Sequence, residues 1–382
     1  MHPMRPLLAL LACACLSAIG APALRADDSD RILTLDHYVR VTSAVPALAG
    51  QPAQLYLRER VAAGTALRGA SLADRVVLFV HGAGTPAEVA FDVPHDDYSW
   101  MAFLARAGFD VFSVDVTGYG PSTRPAPMND PCNLARERQA AFVPSLIPEP
   151  CPASYPGAMT TIASDWNDIG AAVDYIRALR RVEHVSMVGW SLGGPRSGGY
   201  AALHPQKVHR LVWLAPAYGR QSAAGPPASL PAPGIVFNTQ SRADFLATWD
   251  RQVGCPAQYD PAVADVVWSS MLESDPVGAT WGPGVRRAPQ TTTWGWNAAV
   301  VGRMQTPALM VAAAHDRQID PARVRELYAD YGGSSKVLVD LGCASHNAMW
   351  EKAHTTLFRA SLEWLERGTV NGSPNGVVQL GH

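Results

Sequence analysis

The sequence predicts an α/β fold, a mainly parallel sheet flanked by helices with an inserted cap. Two observations lead to this prediction. Short apolar runs typical of buried strands alternate with longer segments in which apolar residues recur every three or four positions. The alternation stops near residue 218, where proline, glycine and tryptophan become frequent, and it resumes after residue 304. We therefore expect one α/β core that a cap interrupts.

The strands follow from apolar runs that end at turn residues. The first two, residues 34–41 and 54–61, are predicted as an antiparallel pair. The later strands are expected at residues 75–80, 111–116, 185–188, 211–214, 308–313 and 336–341. In a parallel sheet of this kind, the active site forms where the carboxyl ends of the strands meet.

Helices are expected where the apolar period is close to 3.6 residues or where a capping residue precedes it. Asp97 is predicted to cap a helix that ends near residue 107, and an apolar stripe from Ile162 to Ile176 predicts another. Further helices are expected after the turn at residue 191 and over residues 321–331 and 348–367.

The predicted organisation has a leader, a core with two insertions, and a tail. The parts are a signal peptide at residues 1–26, the core at 27–217 and 305–368, an insertion rich in proline and cysteine at 121–160, a cap or lid at 218–304, and a flexible tail at 369–382. The composition of the insertion favours a stapled surface loop over regular structure.

The first residues have the anatomy of a secretory signal peptide. Arg5 precedes an apolar run at residues 7–19, and an A-x-A arrangement follows at residues 21–23. The run is too short to span a bilayer comfortably. We therefore expect a periplasmic or secreted protein without a membrane span. Lipid anchoring at Cys13, whose preceding residues resemble a lipoprotein signal, is the alternative.

Export determines how the cysteines are interpreted. Four of them follow the predicted leader, and an even number in an oxidising compartment favours disulfides. Four cysteines allow three connectivities, of which we favour Cys132–Cys151, closing a short loop, together with Cys255–Cys343. Four free thiols are the alternative. Because no C-x-x-C pair occurs, no metal site is predicted.

A G-x-S-x-G motif at residues 189–193 follows an apolar strand and precedes a helix. This context predicts a nucleophile elbow, a tight turn that projects the Ser191 hydroxyl into a cleft. The glycines leave room for the close approach of chain to chain, and the helix amino terminus directs N–H groups at a developing oxyanion. A plain glycine turn is the alternative. Trp190, beside the nucleophile, is a candidate substrate-binding residue or packs under the turn.

A second glycine-flanked turn, at residues 81–84, follows the strand at 75–80. One of its backbone N–H groups can reach the same oxyanion. We assign the oxyanion hole to the N–H groups of Ala83 and Leu192. Because the sequence does not fix the turn, Gly84 can replace Ala83, and Gly84 is also a candidate substrate-binding residue. His81 is expected to be structural.

A serine nucleophile needs a base, and the base needs a carboxylate to orient it. Of the eleven histidines, His346 has the best position, just beyond the strand at 336–341. Asp316 directly follows the strand at 308–313, whereas Asp320 is expected to cap the next helix. The predicted triad is therefore Ser191, Asp316 and His346, in the chain order expected for this elbow.

These motifs resemble those of the α/β-hydrolase superfamily. The resemblance covers residues 33–367 and rests on the turn at His81, the Gly118-x-Gly120 turn, the elbow, the acid turn and the terminal histidine. The elbow is similar to that of capped carboxylesterases, and the chain looks like a group of exported bacterial and fungal hydrolases. The resemblance implies the α/β-hydrolase fold. The insertion at 121–160 departs from it, and the cap matches no recognised substrate class.

The expected function is hydrolysis of a carboxylic ester with a small or medium, largely apolar substrate through an acyl-enzyme. The same triad serves amide or peptide, lactone and carbon–carbon bond hydrolysis, and a non-catalytic hydrolase-like binding protein is a further alternative. No cofactor is expected, because triad chemistry needs none. The formal net charge of −2 and a charged share of only 17% do not favour nucleic acid as a partner.

The predicted cap contains aromatic and charged residues with two interpretations each. Its tryptophans line a substrate tunnel or form the cap core; they are Trp249, Trp268, Trp281, Trp294 and Trp296. Arg286 and Arg287 are predicted as solvated charges. Glu273 and Asp275 are candidates to hold a substrate amine if the enzyme is a peptidase, and are otherwise ordinary surface carboxylates.

Overall fold

Thirteen strands are found in the residues that the computed structural model describes, which are 31–68, 72–232, 234–282 and 284–381. The predicted signal peptide and Cys13 lie outside this range. The strands are β1 (Ile32–Thr42), β2 (Pro52–Ala62), β3 (Val76–Val80), β4 (Asp110–Asp115), β5 (Thr160–Thr161), β6 (Val185–Trp190), β7 (Val208–Leu214), β8 (Phe237–Ser241), β9 (Val285–Pro289), β10 (Thr291–Thr292), β11 (Ala308–Ala313), β12 (Lys336–Leu341) and β13 (Gly376–Leu380).

Nine of these strands form one twisted sheet in the order β1-β2-β4-β3-β6-β7-β11-β12-β13. β2 runs antiparallel to both of its neighbours, and all other pairs in the sheet are parallel. The prediction of a mainly parallel sheet with an antiparallel opening pair is therefore confirmed. Two small sheets lie outside it, β5 with β10 and β8 with β9.

The helices cover both faces of the sheet. They are α1 (Ala63–Arg68), α2 (Ala87–Phe91), α3 (Trp100–Arg106), α4 (Arg136–Gln139), α5 (Ile162–Arg180), α6 (Gly193–Leu203), α7 (Arg242–Asp250), α8 (Pro261–Glu273), α9 (Ala298–Val301), α10 (Pro321–Asp330) and α11 (His354–Arg367). Within the described residues, no helix has the length and apolar character needed to cross a membrane.

The core has two layers because the central strands are buried on both faces. In β3, Val77 and Phe79 pack into one apolar cluster, while Leu78 and Val80 pack into the other. This division follows from the two-residue period of a strand, which points successive side chains to opposite faces. All five β3 residues are buried, which explains why this strand appears in the sequence as a continuous apolar run.

A disulfide cross-links the proline-rich insertion internally, and a buried apolar cluster joins the insertion to the cap segment. A disulfide joins Cys132 to Cys151, with Cα atoms 5.2 Å apart, which confirms this predicted pair. A small buried cluster then joins the insertion to the cap, with Phe142 packing edge-on against Trp281 at 5.6 Å between ring centroids. Short helical turns and extended segments make up the rest of the insertion.

The segment between β7 and β11 contains the antiparallel pair of β8 and β9, with helices α7 and α8 between these two strands in the chain, and helix α9 after them. The five tryptophans predicted for the cap are all buried. The second predicted disulfide is also present, since Cys255, beyond α7, is joined to Cys343 in the loop after β12. This bond ties the cap segment to the loop that carries His346.

Two local predictions differ from the structure. Ser99, not Asp97, is the N-cap of α3, since its side chain accepts the N–H of Ala102 at 2.9 Å. Asp97 instead lies 3.0 Å from Nε2 of His354. Both residue types cap helices well, so composition alone does not separate two candidates that are two positions apart.

The predicted flexible tail also differs from the structure. Gly376–Leu380 forms β13, the edge strand, and pairs in parallel with β12 from Val337↔Gly376 to Leu341↔Leu380. Glu363 holds the preceding turn by accepting the N–H groups of Asn371 and Gly372. The segment gains order because an open edge of β12 offers backbone partners that no local sequence pattern reveals.

We expect the double substitution Cys132→Ala/Cys151→Ala to lower the free energy of unfolding by roughly 3 kcal/mol, because the bond closes a loop in the unfolded chain. Urea unfolding of the variant measures the change. An unchanged unfolding midpoint would show that the cluster around Phe142 holds the insertion without the bond.

Candidate active site

Ser191 occupies the turn between β6 and α6 in a strained backbone conformation. Its φ of 56° lies in the left-handed region, which a residue with a side chain adopts at a cost of about 1–3 kcal/mol. The turn is too tight for side chains at the flanking glycines. A Cβ on Gly189 would lie 2.5 Å from the carbonyl oxygen of Gly193, and one on Gly193 would collide with the carbonyl oxygen of Val80. Both glycines of the motif are therefore required by space.

His346 and Asp316 meet at the carboxyl ends of neighbouring strands. Nδ1 of His346 lies 2.8 Å from Oδ2 of Asp316, and both side chains are buried. The other carboxylate oxygen accepts the N–H groups of Gln318 and Ile319, each at 2.8 Å, which fixes the carboxylate in place. Asp320 accepts a backbone N–H at the start of α10 and caps that helix. Because Asp316 occupies Nδ1, Nε2 is the imidazole nitrogen that faces a nucleophile.

Ser191 and His346 line one inner cavity of about 90 Å³. One wall of this cavity is apolar, formed by Trp190, Phe245, Met271 and Trp350. The described residues show no hydrogen bond between Ser191 and His346, a contact that often tightens only when substrate binds. The indole N–H of Trp190 donates to the carbonyl oxygen of His346 at 2.8 Å, so it fixes the histidine loop relative to the elbow.

Two backbone N–H groups flank Ser191 without a protein partner in the part of the chain that the structure describes, those of Ala83 and Leu192. The N–H of Gly84 is different, because it donates to the hydroxyl of Tyr119 at 3.1 Å. Of the two candidates in the turn after β3, the geometry therefore favours Ala83 over Gly84 as an oxyanion donor. Gly84 lies instead on the wall of a larger outer cavity.

A buried arginine supports this turn from below. Nη1 of Arg196 donates to the carbonyl oxygens of His81, at 3.0 Å, and Gly82, at 2.9 Å. Its Nε donates to Asp165 at 2.7 Å, and neither side chain of this ion pair is exposed. His81 is fully buried as well, and burial together with the nearby Arg196 guanidinium holds the pKa of His81 well below its usual value. His81 is therefore a neutral part of the packing.

A buried carboxylate supports the histidine loop in the same way. Glu351 accepts the backbone N–H of Ser345 at 2.7 Å, together with the indole N–H of Trp249 at 2.8 Å and the amide of Gln258 at 3.0 Å. The last two residues belong to the cap segment. Burial raises the pKa of Glu351, although these donors oppose that rise. The position of His346 thus depends on the cap as well as on the sheet.

The outer cavity, about 530 Å³, adjoins the inner one and has a mainly polar lining. Ala83, Gln240, Thr248 and Arg286 line both cavities. The five buried tryptophans of the cap line neither, so they pack as cap core rather than as a substrate tunnel.

Arg286 and Arg287, predicted as solvated charges, do not lie on an open surface, and they have different surroundings. Arg287 is buried against Asp275, its Nη2 lying 2.6 Å from Oδ1, whereas Arg286 faces the cavities.

Comparison with known proteins matches residues 75–353 to a family described as alpha/beta hydrolase fold. This match spans most of the chain. The protein belongs to the α/β-hydrolase family. No curated protein sequence matches this α/β hydrolase. The fold and family implied by the sequence motifs are thereby confirmed.

Solved structures show the same fold at low sequence identity. A serine hydrolase from Cycloclasticus zankles is 14% identical, with a TM-score of 0.52 over 87% of this chain and 98% of that one. A serine hydrolase involved in carbazole degradation is 15% identical, with a TM-score of 0.52 over 87% and 99%. An esterase from Thermogutta terrifontis is 14% identical, with a TM-score of 0.51 over 87% and 98%. At these identities the likeness concerns the fold alone.

Sequence reasoning missed the supporting residues of this α/β hydrolase. Arg196 is the single charged residue of α6, and a lone charge in an otherwise uncharged helix is the one signal that points to burial. Glu351 and Gln258 carry no such signal, because the contact between them joins distant parts of the chain. The sequence did not single out Arg286, because two adjacent arginines are typical of a solvated surface.

We expect Arg196→Met to lower the free energy of unfolding of the hydrolase by about 3–5 kcal/mol, because it leaves the Asp165 carboxylate buried without a partner. The double variant Arg196→Met/Asp165→Leu should recover most of that loss. Urea unfolding of the parent, both single variants and the double variant measures the coupling. Additive losses in the double variant would contradict a direct interaction.

Proposed function

We propose that this protein is a serine hydrolase that cleaves carboxylic esters through an acyl-enzyme. The observation that carries the proposal is the convergence on one cavity of Ser191, held in a left-handed turn, and His346, whose other ring nitrogen is 2.8 Å from Asp316. A structural neighbour that is an esterase, at a TM-score of 0.51, agrees with it. No single one of these features would distinguish catalysis from packing.

In the proposed mechanism, Nε2 of His346 takes the proton of Ser191 as its Oγ attacks the ester carbonyl. Asp316 holds the imidazole in the tautomer that leaves Nε2 unprotonated, and stabilises the imidazolium that forms. The N–H groups of Ala83 and Leu192 stabilise the negative oxygen of the tetrahedral intermediate. His346 then protonates the leaving alcohol, and water releases the acyl group by the reverse sequence.

The size of the inner cavity bears on the substrate. At about 90 Å³ and with an apolar wall that includes Trp190 and Phe245, it favours a short apolar acyl group beside Ser191. This agrees with a small or medium ester. The peptidase alternative has less support, because Asp275 is already paired with Arg287 and Glu273 lines neither cavity.

We also propose that the protein is exported, to the periplasm or beyond. The two disulfides support this, because such bonds persist in oxidising compartments. The leader of the sequence points in the same direction.

We expect Ser191→Ala to abolish turnover of p-nitrophenyl esters while leaving the circular dichroism spectrum and unfolding midpoint unchanged. The test is hydrolysis of a series from acetate to palmitate, in which the short esters should be the best substrates. A fluorophosphonate probe should label the parent protein and not the variant. Full turnover by the variant would exclude Ser191 as the nucleophile.

We expect Asp316→Asn to lower kcat for p-nitrophenyl acetate by about 10⁴-fold, because the amide favours the wrong tautomer of His346. The matched control is Asp320→Asn, since asparagine also caps helices and Asp320 lies at the start of α10. Steady-state kinetics on both variants measures the difference. Equal losses in the two variants would argue against the proposed role of Asp316.

A further inference from the structure

Arg286 is a cationic side chain at the proposed catalytic centre, and it has no acidic partner among the residues that the structure describes. It lies on β9 opposite Gln240 of β8 and lines the cavity that holds Ser191 and His346. Its Nε donates to Oε1 of Gln240 at 2.8 Å, and its Nη1 donates to Oγ1 of Thr85 at 3.2 Å. Among the described residues, no carboxylate oxygen lies within 4.0 Å of this guanidinium. Its protein contacts are therefore all neutral.

The neighbouring Arg287 is a buried arginine whose charge is compensated by a carboxylate, in contrast to Arg286. Arg287 places its guanidinium on Asp275 through Nε and Nη2, and its Nη1 donates to the carbonyl oxygen of Met128 at 2.7 Å. Arg286 lacks such compensation. Its surroundings lower the pKa of Arg286 to about 10, chiefly by desolvation, and it still carries its charge at neutral pH. A desolvated cation of this kind gains most from an anion that enters the cavity.

The contacts of Arg286 with the protein leave some of its N–H donors free. A guanidinium carries five N–H groups. Gln240 takes Nε–H and one N–H of Nη2, and Thr85 takes one N–H of Nη1. One N–H therefore remains on each terminal nitrogen, and both are available to a negatively charged ligand group such as a carboxylate.

The guanidinium also lies directly on the proposed oxyanion turn. A Cβ placed on Gly84 would be 2.9 Å from Nη1 of Arg286, so a residue larger than glycine at this position would collide with the guanidinium. Ala83, the residue before it, lines the inner cavity together with Arg286. An anion bound by Arg286 is therefore held close to the carbonyl that Ser191 would attack.

The charges of the outer cavity agree with this arrangement. Its charged lining residues are Arg138, Asp244, Arg251 and Arg286. Arg138 and Asp244 lie 3.8 Å apart and offset each other, which leaves two positive charges at the approach to the inner cavity. A positive approach raises the local concentration of an anionic substrate and its rate of association.

We infer that the substrate is an ester bearing a carboxylate, and that Arg286 binds this carboxylate beside the scissile carbonyl. The inference rests on the proposed ester hydrolysis and narrows its substrate class. It revises the expectation of a largely apolar substrate: the apolar wall receives one part of the ester, and Arg286 receives a charged part. A single guanidinium with neutral neighbours suits one monoanionic group better than a dianionic phosphate.

The test uses ester pairs of matched length that differ in charge. For a carboxylate on the acyl side, the pair is mono-p-nitrophenyl glutarate and p-nitrophenyl valerate. For a carboxylate on the leaving group, the pair is 4-acetoxybenzoate and its methyl ester. The full chain should show a higher kcat/KM for the charged member of at least one pair, and this preference should fall as salt is added.

Substitution of Arg286 should remove the preference for the charged ester. Arg286→Gln should lower the ratio of kcat/KM for the charged ester to kcat/KM for the neutral ester by about 10- to 100-fold, since the lost interaction is a charge-assisted one. Arg286→Lys should retain part of the preference. The control Arg303→Gln removes an exposed arginine remote from the site and should leave both rates unchanged.

The outcomes separate the two proposals. Ser191-dependent turnover of neutral esters without a charged preference, or equal losses on both esters in Arg286→Gln, would overturn the carboxylate inference and leave ester hydrolysis intact. No turnover of any ester, together with no fluorophosphonate labelling, would overturn both. If Arg286→Gln does not fold, inhibition of the parent protein by glutarate but not by glutaramide supports the inference, and equal or absent inhibition overturns it.

Discussion

Ser191 adopts a left-handed backbone conformation that costs free energy, and the packing of the surrounding turns holds the chain in this conformation. The left-handed turn aims the side chain into the inner cavity and starts α6 immediately afterwards. It also brings Gly193 against the carbonyl oxygen of Val80, at the end of β3, where no side chain fits. The elbow and the turn at residues 81–84 are therefore one tightly packed unit. A change in either turn shifts the distance between the nucleophile and the proposed oxyanion donors.

Two buried side chains, those of Arg196 and Glu351, hold this unit and the loop of His346 in place. Arg196 binds the carbonyl oxygens of the turn after β3 and is itself balanced by Asp165. Glu351 binds the loop of His346 and reaches Trp249 and Gln258 in the cap segment. Because buried charges are costly without partners, these groups tolerate little displacement. Glu351 and the Cys255–Cys343 bond together join the histidine loop to the cap segment.

The parts of the molecule that the sequence predicted well are those encoded by local patterns. Runs such as residues 76–80 mark strands buried on both faces, and the G-x-S-x-G motif marks a turn whose geometry requires both glycines. Cysteine count and compartment predicted that disulfides form, and the short loop closed by Cys132–Cys151 favoured the observed pairing among three connectivities. What the sequence could not show depends on contacts between distant segments. Edge strand β13 forms because β12 offers it a partner. The partners of Arg196, and Trp249 and Gln258 as partners of Glu351, are likewise distant in the chain. The cap of α3 was placed at Asp97 rather than Ser99 because both residue types cap helices well.

Arg286 and Arg287 illustrate why substrate class is the hardest property to predict from a sequence. The two residues are adjacent and chemically identical, and the alternation of strand β9 sends them to opposite sides. One meets Asp275 and becomes part of the cap core, while the other meets only neutral groups and faces the nucleophile. Charge compensation from within the chain therefore separates a structural cation from one that is suited to a ligand. Since the register between β8 and β9 decides which arginine faces the cavity, a shift of that register by one residue would exchange the two arginines without altering the catalytic groups.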